Sequence, residues 1–306
     1  MVGTDLRVRI GSLALKNPVM TASGTFGYGL EFQPLVDPSR LGAVVVKGIS
    51  LRPRAGNPPP RIVETPSGML NAIGLANVGL ERFLKEKLPL LERLKAVVIV
   101  NIYGQSEAEY GEVAAGLKGV EGISGIEVNV SCPNVECGGM AFGTDPEVTA
   151  RVTDRVLKNS DKPVIVKLSP NVTDIRSVAR AAESAGADGL SLINTLAGMA
   201  IDIEKRAPRL ANISGGLSGP AVRPVALYKV YQVVQTVHIP VIGVGGIVDY
   251  RDALEFLIAG ARAVQVGTAN FIQPKASLDI IEGLRRYCEE RGISKLEDLI
   301  GTLEVN

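Results

Sequence analysis

The 306-residue chain holds one histidine, three cysteines and no tryptophan, and each shortage removes a class of chemistry. An odd, small number of cysteines argues against a disulfide framework and fits a reducing compartment. Cys132 and Cys137 stand in NVSCPNVECGG with C-x4-C spacing and no second pair, and Cys288 is remote in EGLRRYCEERG. A closed zinc or iron–sulfur site needs about four ligands, and a catalytic dithiol is more often C-x-x-C, so no metal site is expected. Aromatic residues make up 4% of the chain and the net charge is +1, which leaves little for base stacking or for steering to nucleic acid. No apolar run approaches the ~20 residues of a membrane helix. The start, MVGTDLRVRI, lacks the basic and apolar regions of a signal peptide. A cytoplasmic protein without nucleic-acid or membrane partners is the expectation.

What is abundant is short apolar runs. Hydrophobic residues are 46% of the chain and mean hydropathy is +0.20. Eight runs rich in Val and Ile occupy 18–23, 42–48, 96–103, 125–131, 163–169, 189–195, 240–246 and 263–269. Each is apolar almost throughout, as parallel strands covered on both faces are. Helical periodicity fills most intervals. In 171–188, Val172, Ile175, Val178, Ala179 and Ala182 share a face and Gly186 ends the segment. In 249–263, Ala253, Leu254, Leu257 and Ile258 do the same before Gly260. Eight strand–helix units predict an α/β fold, a (β/α)8 TIM barrel, as one domain over 1–306. An open doubly wound sheet is the runner-up, but the chain shows no split into halves. Leu6, Val8 and Ile10, then Gly11-Ser12, then Leu13 and Leu15 predict an N-terminal β-hairpin closing the barrel bottom. Two connections, 49–76 and 196–220, are long loops that follow strands and so belong to the C-terminal face, where such loops carry function.

Chemistry in this fold gathers at the C-terminal ends of the strands. The eight runs end, in order, on Ser23, Lys47, Asn101, Asn129 with Cys132, Lys167, Asn194 with Thr195, Gly245-Gly246, and Gly267-Thr268. A single polar strand end means little, but two lysines and three asparagines on neighbouring strands point to one convergent site. The glycine ends of the last two runs would offer backbone N–H groups to a phosphate. GVGGIV lacks the third glycine of the dinucleotide fingerprint, so a phosphate-bearing cofactor is expected rather than directly bound NAD. His238 precedes the seventh run, at the opposite end of the barrel, and reads as structural. A general base must then come from elsewhere. Cys132 directly follows the fourth run, and a thiol of pKa ~8.5 can take a moderately acidic C–H proton when a neighbour absorbs the developing charge.

At this point a resemblance becomes visible. KGISLRPRAGNPPPRIVETPSGMLNAIGLAN, NVSCPNVECGGMAFGTDP, VKLSPN, INT, GVGGI and VGTA, in this order over roughly residues 5 to 300, resemble the class 1B dihydroorotate dehydrogenases, catalytic subunit. ASGTFGYG and GMLNAIGL favour 1B over the fumarate-using class 1A. The resemblance implies FMN at the barrel mouth and oxidation of dihydroorotate to orotate in pyrimidine synthesis. It implies that Cys132 takes the C5 proton while the C6 hydride passes to flavin N5. Lys47, Asn71, Ala72, Ile73, Gly74, Leu75, Asn129, Asn134, Asn194 and Thr195 would hold substrate. Ser23, Lys47, Gly48, Asn101, Asn129, Lys167, Ile193 and Gly219 would contact the flavin, and Gly245, Gly246, Gly267 and Thr268 its phosphate. Lys167 would stabilise negative charge on the reduced ring. Cys137 receives no role.

Elementary chemistry agrees with these assignments. Asparagine offers both donor and acceptor to the amide and imide edges of a pyrimidine, and side chains cannot accept hydride, so a cofactor is needed. With no dinucleotide or iron–sulfur motif in the chain, the 1B resemblance implies a partner subunit carrying FAD and a [2Fe–2S] cluster, in a heterotetramer around a homodimer of this chain. Three other readings compete: a fumarate-linked 1A enzyme, a non-redox barrel acting on a phosphorylated substrate, and a non-catalytic scaffold.

Overall fold

A computed structural model describes residues 4–131 and 142–305; Cys132, Asn134 and Cys137 lie outside the described residues. Each of the eight apolar runs contains one strand of a single parallel sheet. After a hairpin of β1 (Val8–Ile10) and β2 (Leu13–Leu15) come β3 (Val19–Thr21) and β4 (Val44–Val45), then β7 (Val98–Ile102), β8 (Gly125–Asn129), β9 (Val164–Lys167), β10 (Gly189–Leu192), β15 (Val241–Val244) and β16 (Ala263–Val266). The sheet runs β3-β16-β15-β10-β9-β8-β7-β4. The parallel bridge Met20–Ala43 and the bond from Gly42 N–H to the Val19 carbonyl, 2.8 Å, bring its two edges together. This is the expected (β/α)8 barrel. β-branched residues dominate because both faces of each strand are covered: Val164, Ile165 and Val166 are fully buried.

Helices α1 (Leu80–Arg82), α2 (Leu88–Glu92), α3 (Glu107–Leu117), α4 (Pro146–Asn159), α5 (Ile175–Ser184), α6 (Arg223–Val234), α7 (Tyr250–Ile258), α8 (Ala269–Ile272) and α9 (Ala276–Glu290) fill intervals between strands or follow the last one. The periodicity at 171–188 predicts a longer helix than forms. Asp174 is extended and its carboxylate accepts the Arg176 N–H, so α5 begins only after this cap. Gly186 and Gly260 follow α5 and α7 with φ of +99° and +108°, the left-handed turn that ends a helix. The N-terminal hairpin turns at Gly11 (φ +56°) and lies under the barrel: a Cβ on Gly189, the first residue of β10, would stand 3.0 Å from Ile10 Cγ2.

The two long connections are more ordered than their sequences suggest. The first holds β5 (Ile62–Thr65) and β6 (Gly68–Asn71). The second holds β11 (Leu196–Gly198), β12 (Ile201–Asp202), β13 (Ala207–Pro208) and β14 (Gly215–Ser218). Four of these strands form one antiparallel sheet of order β11-β14-β6-β5, with Gly216 opposite Asn71, while β12 and β13 pair only with each other. Val63, Leu70, Ala72 and Leu210 form a small core of their own. No helix among the described residues is long and apolar enough to cross a membrane.

Candidate active site

A cavity of about 790 Å³ lies at the C-terminal ends of the barrel strands, walled on one side by the antiparallel sheet. Ser23, Lys47, Gly48, Asn101, Asn129, Lys167, Ile193, Asn194, Thr195, Gly245, Gly246, Gly267 and Thr268 line it, as do Asn71, Ala72, Ile73, Gly74 and Leu75. Gly219 is the exception. It stands behind the lining residue Ser218 with φ +99°, and a Cβ there would meet Gly68 Cα at 2.6 Å. Cys132 and Asn134 fall outside the described residues; Ser131, the neighbour of Cys132, lines the wall. His238 is exposed just before β15, at the far end of the barrel, and its N–H donates to Glu183.

The charged lining residues are Lys47, Arg54 and Lys167; no carboxylate or histidine is among the described residues of the wall. Arg54, from the first long connection, is a member that strand-end reasoning missed. The cavity therefore suits an anion. Lys47 makes no ion pair with any described residue. Burial, reinforced by the Arg61 charge, lowers its pKa from the ordinary lysine value.

Asparagines are fixed around the same space. Asn194 Nδ2 donates to Asn129 Oδ1 at 3.2 Å, and that oxygen also accepts the Ser131 N–H at 3.1 Å. Tyr110 donates its hydroxyl hydrogen to the Asn129 carbonyl at 2.7 Å. The Thr195 N–H donates to Asn194 Oδ1 at 2.8 Å, and Asn71 Nδ2 to the Gly216 carbonyl at 3.2 Å. Leu75 has φ +59°. Its carbonyl accepts from the Tyr103 hydroxyl at 2.8 Å and Asn77 Nδ2 at 2.9 Å, which pins the segment Asn71–Leu75 against the barrel.

Directly beneath the floor lies a charge the sequence analysis did not single out. Glu127, in the middle of β8, is fully buried. Its Oε1 accepts from Asn101 Nδ2 at 2.7 Å and lies 3.4 Å from Lys167 Nζ. Its Oε2 accepts from Ser191 Oγ at 2.9 Å and Gln265 Nε2 at 2.6 Å. Burial pushes the carboxyl pKa up, but the Lys167 charge and these hydrogen bonds outweigh it, so the group sits below its usual range and is ionised. The signal was present: GIEVN, GLSL and AVQV each carry one polar residue inside an apolar strand.

At the other end of the cavity, Gly245 (φ +135°) and Gly246 (φ +73°) leave β15. A Cβ on Gly245 would meet Ala226 Cβ at 2.7 Å, and one on Gly246 would meet the Arg223 backbone nitrogen at 2.8 Å, so only glycine fits. The Arg223 guanidinium is engaged by Asp252 and, at 3.6 Å, by Glu255. Asp252 is buried and also caps the turn into α7 by accepting the N–H groups of Val248 and Asp249.

Comparison with known proteins gives the family. The family model for dihydroorotate dehydrogenase matches residues 5–287. The dihydroorotate dehydrogenase B (NAD(+)) catalytic subunit of Desulforamulus reducens is 59% identical over 298 residues, 97% of this chain and 98% of that one. The proteins of the same name from Geotalea uraniireducens and Geotalea daltonii are 58% identical over 299 residues, 98% of each chain, and 57% identical over 305 residues, 100% of each. With a matched family model over nearly its whole length and a polar, cationic cavity at the barrel mouth, the chain belongs to the dihydroorotate dehydrogenase family of oxidoreductases.

Proposed function

We propose that this chain is the catalytic subunit of an NAD-linked, class 1B dihydroorotate dehydrogenase, oxidising (S)-dihydroorotate to orotate in pyrimidine synthesis as one FMN-binding barrel over 1–306. The observation that carries this reading is the cavity. Its charged lining residues are all cationic among those described, and fixed asparagines face the same space. The residues present fit FMN. Backbone amides at Gly245, Gly246, Gly267 and Thr268 would supply a phosphate cradle whose turn a Cβ at Gly245 or Gly246 would push away from Ala226 and Arg223, and Ser23, Gly48, Asn101, Lys167 and Ile193 would hold the ring. Gly219 would act through the wall it shares with Gly68. When bound, FMN supplies the hydride acceptor that no side chain provides.

The chain's own residues then bind and move a proton. Lys47 pairs with the substrate carboxylate. Asn71, Asn129, Asn134, Asn194 and Thr195 offer donors and acceptors to the amide edges, and Ala72, Ile73, Gly74 and Leu75 cover the substrate and exclude water. Cys132, one peptide bond beyond Ser131 of the wall, takes the C5 proton as general base. Lys167 supplies fixed positive charge at the cavity floor. Because the sequence has no dinucleotide fingerprint, we assign NAD reduction to a partner subunit bearing FAD and a [2Fe–2S] cluster, in a cytoplasmic heterotetramer built on a homodimer.

The deciding experiment is a visible spectrum of the purified chain before and after anaerobic addition of dihydroorotate. Loss of a flavin band on addition supports the reading. A chain without flavin absorbance, or one whose spectrum dihydroorotate leaves unchanged, overturns it.

A further inference from the structure

The carboxylate under the floor has no part in the chemistry assigned so far. Glu127 does not line the cavity, yet four other barrel strands converge on it: Asn101 from β7, Lys167 from β9, Ser191 from β10 and Gln265 from β16 meet Glu127 from β8. Three of the four partners are neutral donors that satisfy the carboxylate without neutralising it. The fourth is the only cation, and it alone of the charged pair reaches the cavity. An isolated buried carboxylate is costly, and a buried pair adds little stability over a neutral core of the same shape. Stability alone therefore gives no reason to keep a fully buried Glu at this place.

We propose that Glu127 is a positioning residue. It tethers the Lys167 ammonium to the floor and sets how much positive charge that ammonium presents to an electron-accepting ring above it. The contacts support both halves. Lys167 Nζ lies 3.4 Å from Glu127 Oε1 and 3.5 Å from Gln265 Oε1. These are long bonds, so the ammonium is held from below while donor capacity remains towards the cavity. Lys167 is only 6% exposed, so solvent screens neither charge effectively. A buried carboxylate so close offsets part of the lysine's charge at the ring, and charge beside a flavin tunes its reduction potential. This inference rests on the reading that the cavity binds FMN.

The test is the midpoint potential of FMN bound to the intact chain, measured for the wild type, Glu127→Gln, Lys167→Met and the double variant, with FMN affinity from a fluorescence titration. Removing the carboxylate leaves the lysine uncompensated. Glu127→Gln should therefore shift the potential to more positive values, and Lys167→Met to more negative ones. The double variant should match Lys167→Met, because without the ammonium there is no lysine charge to set and an unpaired buried carboxylate takes up a proton. Should Glu127→Gln fail to fold, Glu127→Asp, whose shorter side chain withdraws the carboxylate from Lys167, should shift the potential in the same direction. A Glu127 variant with the wild-type potential, with only thermal stability changed, would show a purely structural role, and a double variant lying well above Lys167→Met would show that Glu127 acts independently of the lysine; either overturns the inference. A wild type that binds no FMN overturns the functional reading, and this inference falls with it. A wild type that binds FMN with a potential indifferent to Glu127 overturns this inference alone.

Discussion

Two side chains would set the pH behaviour expected of this enzyme. In its proposed role as general base, Cys132 would contribute on the order of 10²–10⁴ in rate. Cys132→Ala should lose dihydroorotate oxidation by about that factor while retaining FMN, and a variant with normal turnover would remove the assignment. Cys132→Ser should keep part of the activity and need higher pH, because a hydroxyl is the poorer base; a pH–rate profile reads this directly. Lys47 has a pKa pushed down from 10.5 by burial and by Arg61. The unfolded chain therefore binds more protons at this site between the lowered value and 10.5, and the lysine's penalty on folding is relieved as pH rises through that window. Binding runs the other way, because only the ammonium pairs with a carboxylate. Orotate affinity should fall as pH rises through the lowered pKa. Lys47→Met should weaken orotate by roughly 10- to 100-fold, the worth of a charge-assisted hydrogen bond, and flatten that dependence in a titration.

At the scale of elements, glycine placement decides the shape of the cavity. Gly246 has φ +73° and no room for a Cβ beside the Arg223 backbone. Gly246→Ala should cost about 1–3 kcal/mol of stability and weaken FMN more than orotate, read by thermal melts and flavin titration; equal FMN affinity would place the phosphate elsewhere. Gly68 and Gly219 let β6 and β14 close on each other within the antiparallel sheet, because a Cβ on Gly68 would stand 2.0 Å from the Ser218 carbonyl oxygen. The barrel strands were legible because covered parallel strands write themselves as unbroken apolar runs. The antiparallel sheet was not. Its strands are 3–4 residues long, and β14 reads GGLS, without alternation or β-branched residues. β5 and β6 form a local hairpin, but the pairing of β6 with β14 joins partners far along the chain, which no local pattern encodes. Site residues followed the same rule. Those at strand ends could be placed by counting along each run, whereas Arg54 arrives from a connection and Glu127 hides inside a strand.

The whole molecule presents a cationic mouth on a nearly neutral chain of net charge +1. Such a site draws small anions without drawing polyanions in general, so orotate association should slow as ionic strength rises while FMN content stays constant. Electron flow is the second property of the whole. The isolated chain should reduce an artificial dye in the presence of dihydroorotate but not NAD, and NAD reduction should appear only with the FAD and iron–sulfur subunit added. Reduction of fumarate by the chain alone would instead favour the partner-free 1A reading.

The sheet beside the cavity also fixes an order in time. One wall of the site is β6 paired with β14, and the bond from Asn71 Nδ2 to the Gly216 carbonyl joins residues 145 positions apart. Closing so long a loop is slow compared with forming local structure. During synthesis the N-terminal half of the barrel can emerge and collapse, yet the wall cannot exist until Ser218 has left the ribosome, nor the glycine cradle until Thr268 has followed. The site is thus a late product of folding, and nascent chains arrested before those points should capture no flavin.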